Sequence, residues 1–182
     1  DTVGRPGEGV DMRVIDPEGR ELPQGEYGEL VGRSGSMMRA YHNQPDKTAE
    51  LLWTDAQGRH FVRSGDMGRI DADGFVHLMD RKKDMIISGG FNIYAADLET
   101  VLRGLVDVAV IAVPSADWGE TPLGFVVLRQ GAVQDADAVR DWANARLGKT
   151  QRLSHIEIRA DLPRSDIGKI LKRDLRAPYW PD

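Results

Sequence analysis

Asp80-Arg81-Lys82-Lys83-Asp84-Met85-Ile86-Ile87-Ser88-Gly89-Gly90-Phe91-Asn92-Ile93-Tyr94 divides the chain into two kinds of sequence. Five charges in a row separate two apolar runs, and a charge block between apolar segments marks either a solvated turn or a domain boundary. Before it, the pattern is one of strands and turns. Val10, Met12 and Val14 alternate with Asp11 and Arg13, as a half-buried strand requires. Asp16-Pro17-Glu18-Gly19 reads as a turn, Tyr27 to Arg33 as a second strand, and Phe61-Val62-Arg63 as a strand stub. Pro45 to Leu52 reads as one short helix with Pro in its first turn. Ile70 and Phe75–Met79 flank Asp71-Ala72-Asp73-Gly74, a hairpin signal.

After the charge block the period changes. Leu98, Val101, Leu102 and Leu105 fall on one helical face. Val108–Val113 and Phe125–Leu128 read as buried strands. Val139, Trp142, Ala143 and Leu147 mark a second helix, with Asp135 or Asp137 as N-cap and Gly148 just past its end. Ile156 and Ile158 belong to a last short strand. The expected fold is α+β in two parts: residues 1–82, mostly β, and residues 83–182, a short sheet flanked by helices.

Composition narrows the function classes. The 182 residues carry 24 Lys and Arg against 29 Asp and Glu, a net charge of −5, with 41% apolar residues and no Cys. Such a chain is globular rather than disordered and a poor general nucleic-acid binder. Without Cys it has no disulfide scaffold, thiolate zinc site or thiol nucleophile. No apolar run approaches the roughly 20 residues that a membrane-spanning helix needs. No basic-then-apolar opening reads as a signal peptide.

Several apparent motifs fail on inspection. Gly148-Lys149-Thr150 is not a phosphate loop, because Ala143 stands where the first Gly belongs and the tripeptide ends a helix instead of opening one. Gly32-Arg33-Ser34-Gly35-Ser36 lacks the closing Gly of a nucleophile elbow. His42, His60, His77 and His155 are scattered, and no metal site is expected.

Three segments carry more weight together than alone: Phe61–Asp71 around Ser64-Gly65-Asp66, Asp80–Tyr94, and Leu162-Pro163-Arg164-Ser165-Asp166-Ile167-Gly168-Lys169-Ile170-Leu171-Lys172-Arg173. In this order and spacing the chain resembles the adenylate-forming (AMP-binding) superfamily of acyl-CoA synthetases, peptide-synthetase adenylation domains and luciferases. Gly28-Glu29-Leu30, Tyr41, Pro45, Thr48 and the opening Val3-Gly4-Arg5-Pro6 fit the same pattern. The resemblance covers essentially the whole chain but only the last third or so of a family member. It implies that 1–82 is the β-rich end of a large N-terminal domain whose remainder is missing, and that 83–182 is a small mobile C-terminal domain.

What the resemblance implies about chemistry is specific. The parent would be an acid–thiol ligase that uses ATP to adenylate a carboxylic acid, fatty or aromatic, and then transfers the acyl group to CoA. Asp66 and Arg81 would contact the ribose of ATP or AMP, Lys83 would be the hinge, Ser88-Gly89-Gly90 would line the pantetheine tunnel of CoA, and Lys169 would be the adenylation lysine. Asp80 and Ala95 replace the Gly and Pro that the family usually has there. Mg2+ is expected with ATP, with its ligands outside these residues. The expected setting is cytoplasmic, with no nucleic acid and no transmembrane segment, and the isolated fragment is expected to be inactive. Two alternatives stand beside this: an adenylation domain loading a carrier protein, and a non-catalytic binding module.

Overall fold

A computed structural model describes residues 2–105, 107–129, 131–132 and 135–180; Asp1, Pro181 and Asp182 lie outside the described residues. The chain divides into two compact units, Asp1–Lys83 and Asp84–Asp182.

The first unit is built on β1 (Asp11–Ile15), β2 (Gly28–Arg33), α1 (Pro45–Leu51), β3 (Leu52–Thr54), β4 (His60–Ile70) and β5 (Val76–Arg81). The sheet order is β1-β2-β4-β3, with β5 also paired to β4, and every pairing is antiparallel. Alternation along the strands sorts the apolar side chains between two clusters. Ile15, Val31, Trp53 and Phe61 form one, and Val14, Leu30 and Val76 the other. Trp53 stacks at a tilt on Phe61, with ring centroids 5.2 Å apart, and its indole N–H donates to the Gly19 carbonyl at 2.7 Å. Polar handles of this kind let a large ring be buried without an unpaired N–H.

The strand stub expected at 61–63 is instead the start of an eleven-residue strand. Gly65 is the reason the sequence misleads there. Its φ of +71° suits a turn, yet the chain continues: Val31 pairs with Arg63 while Glu29 pairs with Met67, so residues 64–66 bulge out opposite Leu30.

The second unit contains β6 (Ile86–Ser88), β7 (Phe91–Ile93), α2 (Ala95–Leu102), β8 (Asp107–Ser115), β9 (Gly119–Val127), α3 (Ala136–Asn144), β10 (His155–Arg159) and α4 (Lys172–Arg176), preceded by a 3₁₀ turn at Lys82–Asp84. The sheet order is β10-β9-β6-β7, with β8 on β9; β10 runs parallel to β9 and the other pairings are antiparallel. Both faces of β8 are buried. Val110 and Ala112 pack with Leu98 and Leu102 of α2 and with Val139 and Ala143 of α3. Ala109 and Ile111 pack with Phe125, Leu162 and Leu175 of α4. The fold is therefore α+β, with α2 and α3 on one face of the sheet and α4 on the other.

Two sequence expectations shift. The second helix starts after Asp135, one of the two capping candidates, but ends at Asn144, before Leu147 and Gly148. Asn144 itself explains the stop. Its side chain donates to the Leu153 carbonyl at 2.9 Å and accepts the Leu153 N–H at 2.8 Å, which turns the chain toward β10. The first helix ends at Leu102, and Leu105 packs on the core from the following turn.

Close backbone approach at Gly28 sets the β1–β2 contact. A Cβ there would lie 2.3 Å from the Ile15 carbonyl oxygen. Gly28→Ala is therefore expected to destabilise the first unit by about 1–3 kcal/mol, the usual cost of overpacking, measured by urea unfolding. A second expectation concerns pH. The Asp71 carboxylate accepts from the His77 ring at 2.7 Å and from the amides of Phe75 and Asp73, and these bonds hold it below the usual Asp range. A depressed carboxyl stabilises the fold above its unfolded value and loses that contribution as pH falls through the folded one. The stability difference between wild type and Asp71→Asn should thus be full at neutral pH and shrink below about pH 3.9.

Candidate active site

Each unit presents its own group of candidate residues. In the first, the bulge at 64–66 aims Asp66 across to β5, where it sits directly opposite Arg81 in the ladder. A second irregularity between Met67 and Gly68 preserves that pairing while the rest of the strand continues in normal register. Arg81 Nε lies 3.0 Å from Asp66 Oδ1, and Arg81 Nη1 donates to the Ser64 carbonyl at 3.4 Å. Ser64 Oγ donates to the Leu30 carbonyl at 2.7 Å and accepts the Asp66 N–H at 3.0 Å, so the bulge is braced from within. A carboxylate held by a neighbour but still 28% exposed can accept from a ligand hydroxyl. Gly65, Arg81, Lys82 and Lys83 line a cleft of about 580 Å3 beside it.

In the second unit, Ser88, Gly89 and Gly90 form a hairpin turn between β6 and β7. Gly89 and Gly90 have φ of +56° and +82°, and positive φ at both central residues is what the favoured two-residue hairpin loops need. The helix starts five residues after Gly90, and Ala95, fully buried at its first position, takes the place where Pro would otherwise stand.

Trp118 is the residue that sequence reading missed. Its carbonyl accepts the Gly89 N–H at 2.9 Å, and a Cβ on Gly89 would lie 2.7 Å from its indole ring. The ring is 60% exposed, so it forms an open wall over the glycine loop, not part of the core. The signal was available: a Trp in a polar turn, Asp117-Trp118-Gly119, has no apolar neighbours to hide it.

Lys169 sits on a tight loop of the same unit. Arg164 and Ile170 bridge its base. The Gly168 N–H donates to the Ser165 carbonyl at 2.8 Å, and the Ser165 N–H to the Lys169 carbonyl at 2.9 Å. The Arg164 guanidinium bonds both the Gly168 carbonyl and the Asp107 carboxylate, pinning the loop to the first residue of β8. Gly168, at φ +80°, permits the turn. Within 162–176, Arg164, Lys172, Arg173 and Arg176 each have a carboxylate partner. The Lys169 ammonium has none among the described residues. The structure thus offers one unneutralised cation at the end of a stiff loop.

Lys83, the expected hinge, is exposed and is the last residue of the first unit. Among the described residues, no three His, Asp or Glu side chains come together to hold a metal. No helix of the described residues is long and apolar enough to cross a membrane.

Residues 101–169, the stretch from the end of α2 to Lys169 itself, match the AMP-binding enzyme C-terminal domain family. That stretch is similar to the AMP-binding enzyme C-terminal domain. Its relatives include a feruloyl-CoA synthase of Amycolatopsis sp, 39% identical over 98% of this chain and 36% of the relative. The fatty acid–[acyl-carrier-protein] ligase ScoC of Streptomyces coeruleorubidus is 37% identical over 99% of this chain and 34% of the relative. Among solved structures, ATP-bound MatB from Rhodopseudomonas palustris superimposes with a TM-score of 0.86 at 36% identity, over 98% of this chain and 35% of that one. The chain therefore spans about a third of the length of the curated relatives it matches, and the matched stretch contains both Trp118 and Lys169.

The contact between Gly89 and Trp118 in the second unit can be tested directly. Gly89→Ala should destabilise the domain by about 1–3 kcal/mol, through both its positive φ and the clash with the indole. Gly90→Ala, where the space is open, should carry only the backbone penalty. Trp118→Ala should restore part of the Gly89→Ala loss in a double-mutant cycle.

Proposed function

We propose that this chain is the C-terminal part of an ATP-dependent acid–thiol ligase. In the first step a carboxylate oxygen attacks the α-phosphorus of ATP and the bond to pyrophosphate breaks, giving an acyl-adenylate. In the second a thiolate sulfur attacks the acyl carbon, the C–O bond to AMP breaks, and a thioester forms. On this reading residues 1–82 close the large nucleotide-binding domain, and residues 83–182 are the small domain that presents a different face in each step, turning at Lys83.

The observation that carries the proposal is the unpaired Lys169 on its pinned loop. Charge builds on the α-phosphate oxygens and the incoming carboxylate as the first step proceeds, and a preorganised cation stabilises it without having to leave a partner. A lysine suits this as a compact point charge. Asp66, held by Arg81 yet partly exposed, would accept from a ribose hydroxyl, and Arg81 would donate to oxygens on the same side. Ser88, Gly89 and Gly90 would let the thin pantetheine arm pass close to the backbone, with Trp118 forming the adjoining wall. ATP would arrive with Mg2+, which these residues are not arranged to hold, and none of these roles passes through the ion.

The names of the relatives bear on the acid and the acceptor. A feruloyl-CoA synthase and fatty acid ligases point to an aromatic or fatty acid as substrate and to CoA as acceptor. The acyl-carrier-protein ligase among them favours a carrier-protein thiol as the second reading for the acceptor. The intact Asp66, Arg81 and Lys169 speak against a module that only binds.

In the full-length protein, Lys169→Ala should lower adenylate formation, read by pyrophosphate exchange, by about 10²–10³-fold, the cost of losing one transition-state donor. It should leave thioester formation from supplied acyl-adenylate intact. Gly89→Leu should do the reverse. Equal damage to both steps by both substitutions would exclude the two-face assignment. The 182-residue chain alone should show no pyrophosphate exchange.

A further inference from the structure

The chain leaves its first unit through Lys82 and Lys83 and enters the second at Asp84. Two of these three residues are fixed, each by its own unit. The Lys82 ammonium lies 2.9 Å from Glu29 Oε2, and the same oxygen is 3.0 Å from Arg63 Nη1. The Glu29 side chain is only 5% exposed, and it shares the apolar face of β2 with Val31. A carboxylate so placed is costly unless paired, and here two cations converge on it. β2 is bonded to β1 on one side and β4 on the other, so Lys82 is tied to the middle of the first sheet.

Asp84 is held from the opposite direction. Its Oδ1 lies 3.1 Å from Arg176 Nη2, with the two side chains 13% and 20% exposed. These two atoms are shielded from solvent and make no aligned hydrogen bond among the described residues, so their contact is an ion pair in which each is the other's only partner. Arg176 ends α4, which Leu175 seats against the sheet and which Lys172 ties to Glu99 of α2 at 2.7 Å. The same segment leads back to the Lys169 loop, whose base is closed by the Leu171 N–H donating to the Pro163 carbonyl at 2.8 Å. Lys83, between the two fixed residues, has no side-chain partner among the described residues.

We propose that the Glu29–Lys82 and Asp84–Arg176 ion pairs are two clamps that confine reorientation of the units to the backbone of Lys83. The proposal rests on the reading of Lys83 as a hinge and deepens it. Hinges work when a few residues absorb the φ/ψ change and their neighbours do not. A run of charges such as Arg81–Asp84 would otherwise behave as a short flexible linker with many accessible states. The clamps remove those states on both flanks. The second clamp also joins the pivot to the element that carries Lys169, so the loop turns with the unit as one body. Glu29, Lys82, Asp84 and Arg176 are thus positioning residues, acting on the reaction only through the pivot.

Trypsin reads this directly, because Arg81, Lys82 and Lys83 are three adjacent cleavage sites and cutting requires local unfolding. In the full-length protein without substrates, Glu29→Gln and Arg176→Met should each speed cleavage after Lys83 by about tenfold or more, as expected when cleavage tracks the population of the opened segment. Lys172→Met, which loosens the same helix away from the pivot, should leave that rate unchanged. Unchanged cleavage in either clamp variant, or equal acceleration by Lys172→Met, would overturn the two-sided clamp. A second readout follows if the parent is a ligase: Arg176→Met should lower kcat for the complete reaction while leaving the KM for ATP unchanged, whereas a lowered kcat accompanied by a raised KM would point to general unfolding and overturn the assignment. Absence of adenylate formation in the wild type would sink the ligase reading alone, since cleavage is measured without turnover.

Discussion

The nine-residue antiparallel ladder between β8 and β9 is the constraint on which the second unit depends. Because side chains alternate, its register decides which residues face α2 and α3 and which face α4. Val110 and Ala112 go one way, Ala109 and Ile111 the other. A slip of one residue would exchange the two faces and strip both helical layers of their seat. The ladder also sets the two functional ends. At its far end Ser115 pairs with Gly119, and the turn between them places Trp118 over Gly89. At its near end Asp107 anchors Arg164, and through it the Lys169 loop. Gly124 completes the arrangement by letting β10 approach, since a Cβ there would lie 2.6 Å from Ile156 Cδ1.

The first unit solves a different problem with irregularity. A regular strand through Ser64-Gly65-Asp66 would place successive side chains on opposite faces and give Asp66 no special access. The bulge turns one short stretch outward without ending the strand, and the pairing of Asp66 with Arg81 restores order immediately afterwards. The braced bulge thus holds a partly exposed carboxylate among rigid neighbours on a strand instead of a loop.

How much of this could be read from sequence depended on the range of the interaction. β8 and the apolar part of β9 were legible because strands buried on both faces are continuous apolar runs, as Val108–Val113 shows. α2 and α3 were legible from their periodicity. The length of β4 was not, because Gly65 carries the same local signal in a bulge as in a turn, and only the partner strand decides between them. α4, five residues long, is too short to display a period. Glu29 stands within the Gly28-Glu29-Leu30 motif, and the only sequence clue to its burial is a charge in phase with the apolar Val31. Trp118 was passed over for lack of a neighbour in sequence; its partner Gly89 lies in another hairpin. Asp66, Arg81, Lys83, Ser88–Gly90 and Lys169 were singled out by resemblance, not by physics, and the structure adds what resemblance lacks: a brace, a wall and a pinned loop.

Electrostatics ties these parts into one argument. The chain is acidic, with a net charge of −5, yet its cations are not spread evenly over that excess. Around residues 81–84 and along the C-terminal segment most of them are committed pairwise: Lys82 to Glu29, Arg81 to Asp66, Arg164 to Asp107, Lys172 to Glu99, Arg176 to Asp84. Paired charges in half-buried settings fix geometry more than they add stability. Every such commitment makes the exception more effective. With Arg164 committed to Asp107, Lys169 is the cation of the 164–170 loop that has no carboxylate partner among the described residues. Pairing the surrounding charges leaves Lys83 between the units and Lys169 on its loop as cations with no carboxylate partner among the described residues, within a chain that is acidic as a whole.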